Sequence, residues 1–192
     1  VSLIETSGIV DPWTTSVPRP VIDPTAFRTT LSHFPSGVVV ITGFDERGAP
    51  AGLTCQSFTS LSLDPPLVLI APAKSSKSWP MIAGGHRFAV NILGADHREI
   101  SGVFARSGTD KFSQVAWRVS PEGLPVLDDA IAVIECEIDA IHHGGDHWIV
   151  VGAVRAIGVS DDTTAPEPLV FYRSSYRTLD PASAARADGT TR

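Results

Sequence analysis

The sequence predicts a mainly β fold, a small β-barrel with a few helices, and three observations carry that expectation. The chain of 192 residues holds 16 Gly and 15 Pro but only 7% aromatic residues, a composition that favours many short elements joined by turns over a helical bundle. Its apolar runs are short, and several alternate with polar residues. The segment IAVIECEIDAIHHGGDHWIVVGAVRAIGV (131–159) reads as two long strands meeting at a glycine pair.

Each element follows from local chemistry. Residues 1–22 and 179–192 lack periodicity and read as an N-terminal arm and a disordered C-terminal tail, leaving 23–178 as one domain. Asp23 as N-cap, Pro24 in the first helical position and Phe27, Leu31 and Phe34 at i, i+4, i+7 predict an opening helix that Pro35-Ser36-Gly37 ends. Val38 to Thr42 reads as a strand covered on both faces, and DERGAP (45–50) as a polar turn before a strand-like run over 52–58. The two prolines of LSLDPPLVLIAP (61–72) separate short strands. RFAVNIL (87–93) alternates Phe88, Val90 and Ile92 against Arg87, Ala89 and Asn91. Helices are expected near 77–83 and 96–106, the second with Ile100, Val103 and Phe104 on one face and Gly108 as its stop. A two-residue turn at Gly144-Gly145 would pair Cys136 with Ala153, Ile138 with Val151, Ala140 with Ile149 and His142 with His147, placing His147 at the mouth of a buried face.

Composition narrows the function. The formal net charge of −6 argues against a nucleic-acid binder, which usually carries a basic stripe, but is compatible with a small anionic ligand. Cys55 and Cys136 lie in apolar runs without CxxC spacing, so neither a disulfide framework nor a zinc site is expected. No run approaches the roughly eighteen apolar residues of a membrane span, and the first residues lack a basic segment followed by an apolar core. The expectation is a cytoplasmic protein with no membrane partner.

Three constellations could carry chemistry. Lys74-Ser75-Ser76-Lys77-Ser78-Trp79 concentrates hydroxyls, ammonium groups and helix-entry N–H groups, the donors a phosphate needs; the same residues also read as a solvated loop with a serine N-cap. Thr54-Cys55-Gln56-Ser57-Phe58, next to Gly52, would let a flat heteroaromatic ring approach and bond along its polar edge, or would form an edge strand with a polar outer face. His142, His143 and His147 invite a metal reading, but adjacent residues point to opposite faces of a strand and no carboxylate or cysteine completes a set. No GxGxxG, GxxxxGK[ST] or GxSxG occurs, so a Rossmann site, a P-loop and a hydrolase elbow find no support.

Seven segments in order resemble the flavin reductase family: FPSGVVVIT (34–42), GLTCQSFTSLSLDPPLVLI (52–70), KSSKSW (74–79), RFAVNIL (87–93), FARSGTDKF (104–112), GGDHWIVVGAV (144–154) and PLVFYRSSY (168–176). The resemblance implies an FMN-binding split barrel, the small reductase component of a two-component flavin-dependent monooxygenase acting on an aromatic or similar substrate. It implies FMN or FAD and NADH or NADPH as cofactors, a homodimer, and a monooxygenase as partner. Matched position by position, flavin contacts fall on Gly37, Val39, Val40, Ile41, Thr42, Thr54, Cys55, Gln56, Ser57 and Ser60. Lys74, Ser75, Ser76, Lys77 and Ser78 match the phosphate region with Asn91 beside it, and Phe104, Arg106, Lys111 and Phe112 match a segment approaching the cofactor. His147 matches the histidine on the nicotinamide side, the one position given a catalytic role, and Tyr172 helps close that face. Cys55-Gln56 and Pro35-Ser36 depart from the family's usual pairs, which leaves FMN or FAD open. Two other classes fit the same barrel: a non-enzymatic module holding flavin or haem, and an oxidase similar to the pyridoxamine-phosphate oxidases, against which the Gly-Asp-His segment argues.

Overall fold

The computed structural model describes residues 21–108, 110–160 and 167–179, so most of the two expected terminal arms lies outside the described residues. The chain divides into two units, Val1–Leu31 and Ser32–Arg192. In the first, helix α1 (Pro24–Leu31) starts as expected: the Ala26 N–H donates to Asp23 Oδ2 at 2.8 Å, and Pro24 occupies the first position. The helix stops before Phe34, because Ser36-Gly37 is already committed to a strand.

The second unit is mainly β. Its strands are β1 (Ser36–Gly37), β2 (Val39–Phe44), β3 (Pro50–Cys55), β4 (Thr59–Leu63), β5 (Pro66–Ile70) and β6 (Arg87–Ile92). They continue with β7 (Trp117–Val119), β8 (Pro125–Leu127), β9 (Ala132–Gly144), β10 (His147–Val159), β11 (Val170–Tyr172) and β12 (Ser175–Arg177). Helix α2 (Trp79–Gly84) follows β5, and α3 (Arg98–Ala105) follows β6 after a 3-10 turn. Seven strands form one antiparallel sheet in the order β3-β2-β6-β9-β10-β5-β4. The segment 50–63 pairs with β2 through its first half and with β5 through its second, so it carries both ends of the sheet and closes the barrel. At the crossing, Ser57 Oγ donates to the Ala71 carbonyl at 3.0 Å and accepts from the Ala71 N–H at 3.1 Å.

The barrel interior is filled by Val39, Ile41, Val68, Ile70, Phe88, Val90, Cys136 and Val150, with Trp79 and Ile82 of α2 inserted among them. Phe88 fits only because Gly152 faces it: a Cβ there would lie 2.5 Å from its ring. A second cluster, including Val38, Val40, Phe104, Phe112 and Leu127, covers the outside of β2. That strand is therefore buried on both faces, as its run of β-branched residues predicts. In β6 the expected alternation holds, with Phe88, Val90 and Ile92 toward the barrel core, but its other face is covered too, so Phe88 to Asn91 are all buried. The polar side of β6 is covered by β8, and Asn91 bonds completely: Nδ2 donates to Val40 O at 3.0 Å and Thr42 Oγ1 at 2.9 Å, and Oδ1 accepts from Leu127 N at 2.8 Å. Thr42 Oγ1 in turn donates to Pro125 O.

The β9–β10 hairpin forms where expected but in another register. Its turn residues are Gly145 and Asp146, between the pair Gly144 and His147, and His142 faces Ile149. Gly145, first of the two turn residues, has φ +73°, a value that favours glycine, so the Gly-Asp pair and not Gly-Gly sets the register. Two bulges, near Val151/Gly152 and Val154/Ala156, then shift the pairing so that Cys136 faces Val154 and Ile138 faces Gly152.

Asn91→Ala would leave the Leu127 N–H and an acceptor on β2 buried without partners. The expected cost is about 3 kcal/mol, read as a lower urea midpoint at unchanged m-value. A loss below about 1 kcal/mol would show that the network adds little.

Candidate flavin and nicotinamide cleft

A cleft of about 630 Å³ opens beside the barrel's closing segment. One wall is the end of β3 and the crossing, Leu53 to Ser57; the other is the chain leaving β5, Ala71 to Ala73 and Ser75 to Ser78. Phe104 to Ser107 at the end of α3, Lys111, Phe171 and Tyr176 complete the lining, and His147 stands at the rim. His147 arrives there because the chain after β5 extends the ladder along β10: Trp148 N–H donates to Pro72 O at 2.9 Å, Ala73 bridges His147, and Lys74 N–H donates to Asp146 O at 2.9 Å.

Several polar side chains of the lining are already engaged in holding the walls. Thr54 Oγ1 donates to Ser101 O at 2.7 Å, Cys55 Sγ lies 3.2 Å from Ser57 Oγ, and Ser57 holds Ala71. Ser76 Oγ accepts from the Trp79 N–H, the first of α2, at 3.2 Å, while the N-cap Ser78 makes no side-chain cap bond; Ser75, Lys77 and Ser78 line the same cleft.

Lys111 is 9% exposed, and its ammonium donates to Gly52 O at 2.8 Å, Phe104 O at 3.0 Å and Ser78 Oγ at 3.3 Å. All three are neutral oxygens, so among the described residues the positive charge is hydrogen-bonded without a carboxylate partner. Loss of hydration on burial holds its pKa below the ordinary 10.5. At the rim, His147 Nδ1 lies 2.8 Å from Asp146 Oδ1. A carboxylate only accepts, so Nδ1 carries the proton and Nε2 is the ring's remaining nitrogen. The hydrogen bond from His147, the histidine's charge and then that of Lys74 hold the Asp146 carboxyl below its usual range, while its slight desolvation opposes them.

A family model for the flavin reductase like domain matches residues 31–180. The chain belongs to the flavin reductase family. The flavin reductase subunit HsaB of a flavin-dependent monooxygenase from Mycobacterium tuberculosis is 40% identical over 166 residues, covering 86% of this chain and 88% of that relative. Nitrilotriacetate monooxygenase component B from Mycobacterium thermoresistibile superposes with a TM-score of 0.81 at 42% identity, over 85% of this chain and 90% of that one. The NADH:FAD oxidoreductase of Streptomyces globisporus, solved with NAD and FAD fragments, superposes with a TM-score of 0.77 at 33% identity, over 86% and 99%.

Of the positions expected in a flavin reductase site, the cleft gathers Thr54, Cys55, Gln56, Ser57, Ser75, Ser76, Lys77, Ser78, Phe104, Arg106, Lys111 and His147. Val39, Val40, Ile41, Thr42 and Asn91 are instead buried in the core, where covering on both faces of β2 and β6 keeps them off this cleft. Gly37 pairs with Val170, and Ser60 lies exposed on β4 opposite Val68. Phe112 packs edge-on between Phe104 and Trp117. The Lys74 ammonium reaches the β9–β10 turn, donating to Gly145 O at 2.6 Å. Tyr172 does not line the cleft; Phe171 and Tyr176, cross-strand partners with rings 5.3 Å apart, do. Neighbours on a strand face opposite ways, so with Phe171 facing the cleft Tyr172 faces away from it. Their hairpin turn, with Arg173 and Ser174 both at positive φ, lacks the glycine or asparagine that marks such turns in sequence.

The buried lysine has a measurable signature. The unfolded chain keeps the Lys111 proton up to about 10.5, whereas the folded chain releases it earlier, so stability from this group rises with pH through the window between the two values. Lys111→Met, which keeps the stem, should lack that rise when urea midpoints are followed from neutral pH upward. Parallel curves for the two proteins would contradict the assignment.

Proposed function

We propose that this chain is an NADH-dependent flavin reductase that reduces FMN or FAD and delivers the reduced flavin to a separate monooxygenase. The observation that carries the proposal is the single cleft in which a ring-edge segment, a hydroxyl and lysine loop and a rim histidine meet, in a chain of the flavin reductase family.

The lining fits a flavin. Leu53, Phe104 and Phe171 offer apolar walls for a planar ring, and exposed Gln56 offers amide donors and an acceptor along an edge. Ser75, Ser78, Lys77 and the charge of Lys111 suit a phosphate, so an acidic protein still presents a locally positive wall. A bound flavin supplies a ring that accepts a hydride from reduced nicotinamide. The chain's own contribution is positioning: the walls hold the ring, and the Asp146-oriented imidazole of His147 meets the second substrate at the open rim. Hydride transfer requires no proton relay in the protein, and the Thr54, Ser57 and Ser76 hydroxyls are engaged in holding the walls.

Release of reduced flavin implies a monooxygenase partner, and the proposal places both in the cytoplasm, where reduced nicotinamide is supplied. A homodimer belongs to the same reading; it would cover apolar side chains left exposed on strands, among them Leu63, Ile157 and Val159.

The direct test is NADH oxidation at 340 nm with FMN and with FAD. Steady turnover with at least one flavin is expected, and its absence with both flavins and both nicotinamides sinks the proposal. His147→Ala should raise KM for NADH about tenfold while the flavin Kd stays within about twofold. Unaltered NADH kinetics would remove His147 from the site.

A further inference from the structure

Lys74 stands first in the hydroxyl and lysine loop, yet its side chain leaves the loop. The residue is exposed and is absent from the cleft lining that holds Ser75, Ser76, Lys77 and Ser78. Its ammonium crosses to the β9–β10 hairpin, where it donates to Gly145 O at 2.6 Å, lies 3.3 Å from His143 Nδ1 and sits 4.9 Å from the centre of the Trp148 ring. The Trp148 ring packs in turn against His143 at 4.8 Å. The main chain of the same lysine donates to Asp146 O at 2.9 Å. Both turn residues are thus held by Lys74, one through its side chain and one through its backbone.

That turn needs holding. It is the tip of a hairpin with thirteen residues in each arm, and the Asp146 side chain is 93% exposed, so Asp146 orients His147 without being packed itself. The Gly145 carbonyl, the His143 ring nitrogen and the Trp148 ring facing the ammonium restrict a long side chain at three points, which is what distinguishes a placed lysine from a solvated one. The Lys74 charge also favours the ionised form of Asp146, the form that accepts from His147.

We propose that Lys74 is a positioning residue for His147 and not a phosphate ligand: it fixes the Gly145-Asp146 turn so that the Asp146-held imidazole stays at the cleft rim. The kinetic part of this inference rests on the proposed reductase function; the structural part does not.

The test uses the full chain with Lys74→Met, which keeps the stem and removes charge and donor, and Lys74→Arg, which restores both. With Lys74→Met, KM for NADH should rise about fivefold while the flavin Kd, read by fluorescence quenching, stays within about twofold; Lys74→Arg should recover most of the change. Because Lys74 acts through His147, the same substitution should change KM little in a His147→Ala background. Amide hydrogen exchange in 143–148 should quicken in Lys74→Met without change in the barrel strands, a readout that needs no turnover. A weaker flavin Kd with unchanged NADH KM would make Lys74 a phosphate ligand and overturn the inference. So would a KM effect that persists without His147, or unchanged exchange at the turn. Absence of turnover in the unsubstituted chain would instead strike the reductase proposal, leaving the exchange experiment to decide the role of Lys74.

Discussion

The pairing of β9 with β10 is the constraint on which the rest of the second unit depends. These are its longest strands, and they sit in mid-sheet, with β6 laid against one and β5 against the other. Their two bulges supply local twist and bending, the means by which an antiparallel sheet curls around a core. A pairing error here would turn Cys136, Val150 and Val154 away from the interior that Phe88 and Val90 fill. The turn at the far end of the same pairing carries His147, so the register of the barrel and the location of the rim histidine are one structural decision.

Around that hairpin the interior divides into an apolar barrel core and a second layer outside β2 and β6, where polar groups also occur. Asn91 and Thr42 bond across β2, β6 and β8, and buried Glu135 accepts from Ser120 Oγ at 2.6 Å. Such groups are tolerated because each is satisfied, and a satisfied network favours one arrangement of the strands over others. Beside that carboxylate, Cys136 is pushed up to about 12, first by burial and then by the Glu135 charge, so its thiol behaves as a small apolar group.

Much of this was legible in the sequence where a residue's chemistry acts locally. The Asp23 cap, the β-branched run of β2, the prolines dividing β4 from β5 and the loop approaching α2 all express short-range preferences. The losses have a common cause in contacts made at a distance. Asn91 was matched to the phosphate region because nothing near it in sequence announces that β8 will cover it. The turn at Gly145-Asp146 was displaced by one residue because two adjacent glycines offer two plausible starts, and bulges leave no mark in the pattern. Phe171 and Tyr176 reach the cleft through a small sheet whose pairing with β1 links residues far apart in the chain.

The segment that closes the barrel gives the cleft a thermodynamic character. Residues 50–63 belong to both ends of the sheet, and where they cross, the two ends meet through the Ser57 hydroxyl and the Ala71 backbone. A molecule lying between 54–57 and 71–78 touches the end of β3 and the chain leaving β5 at once. Its binding free energy is then shared with closure of the sheet, so occupancy and barrel integrity rise and fall together through linkage. For a protein that must pick up one redox form of a molecule and give up another, the closure itself becomes a quantity that ligand exchange modulates.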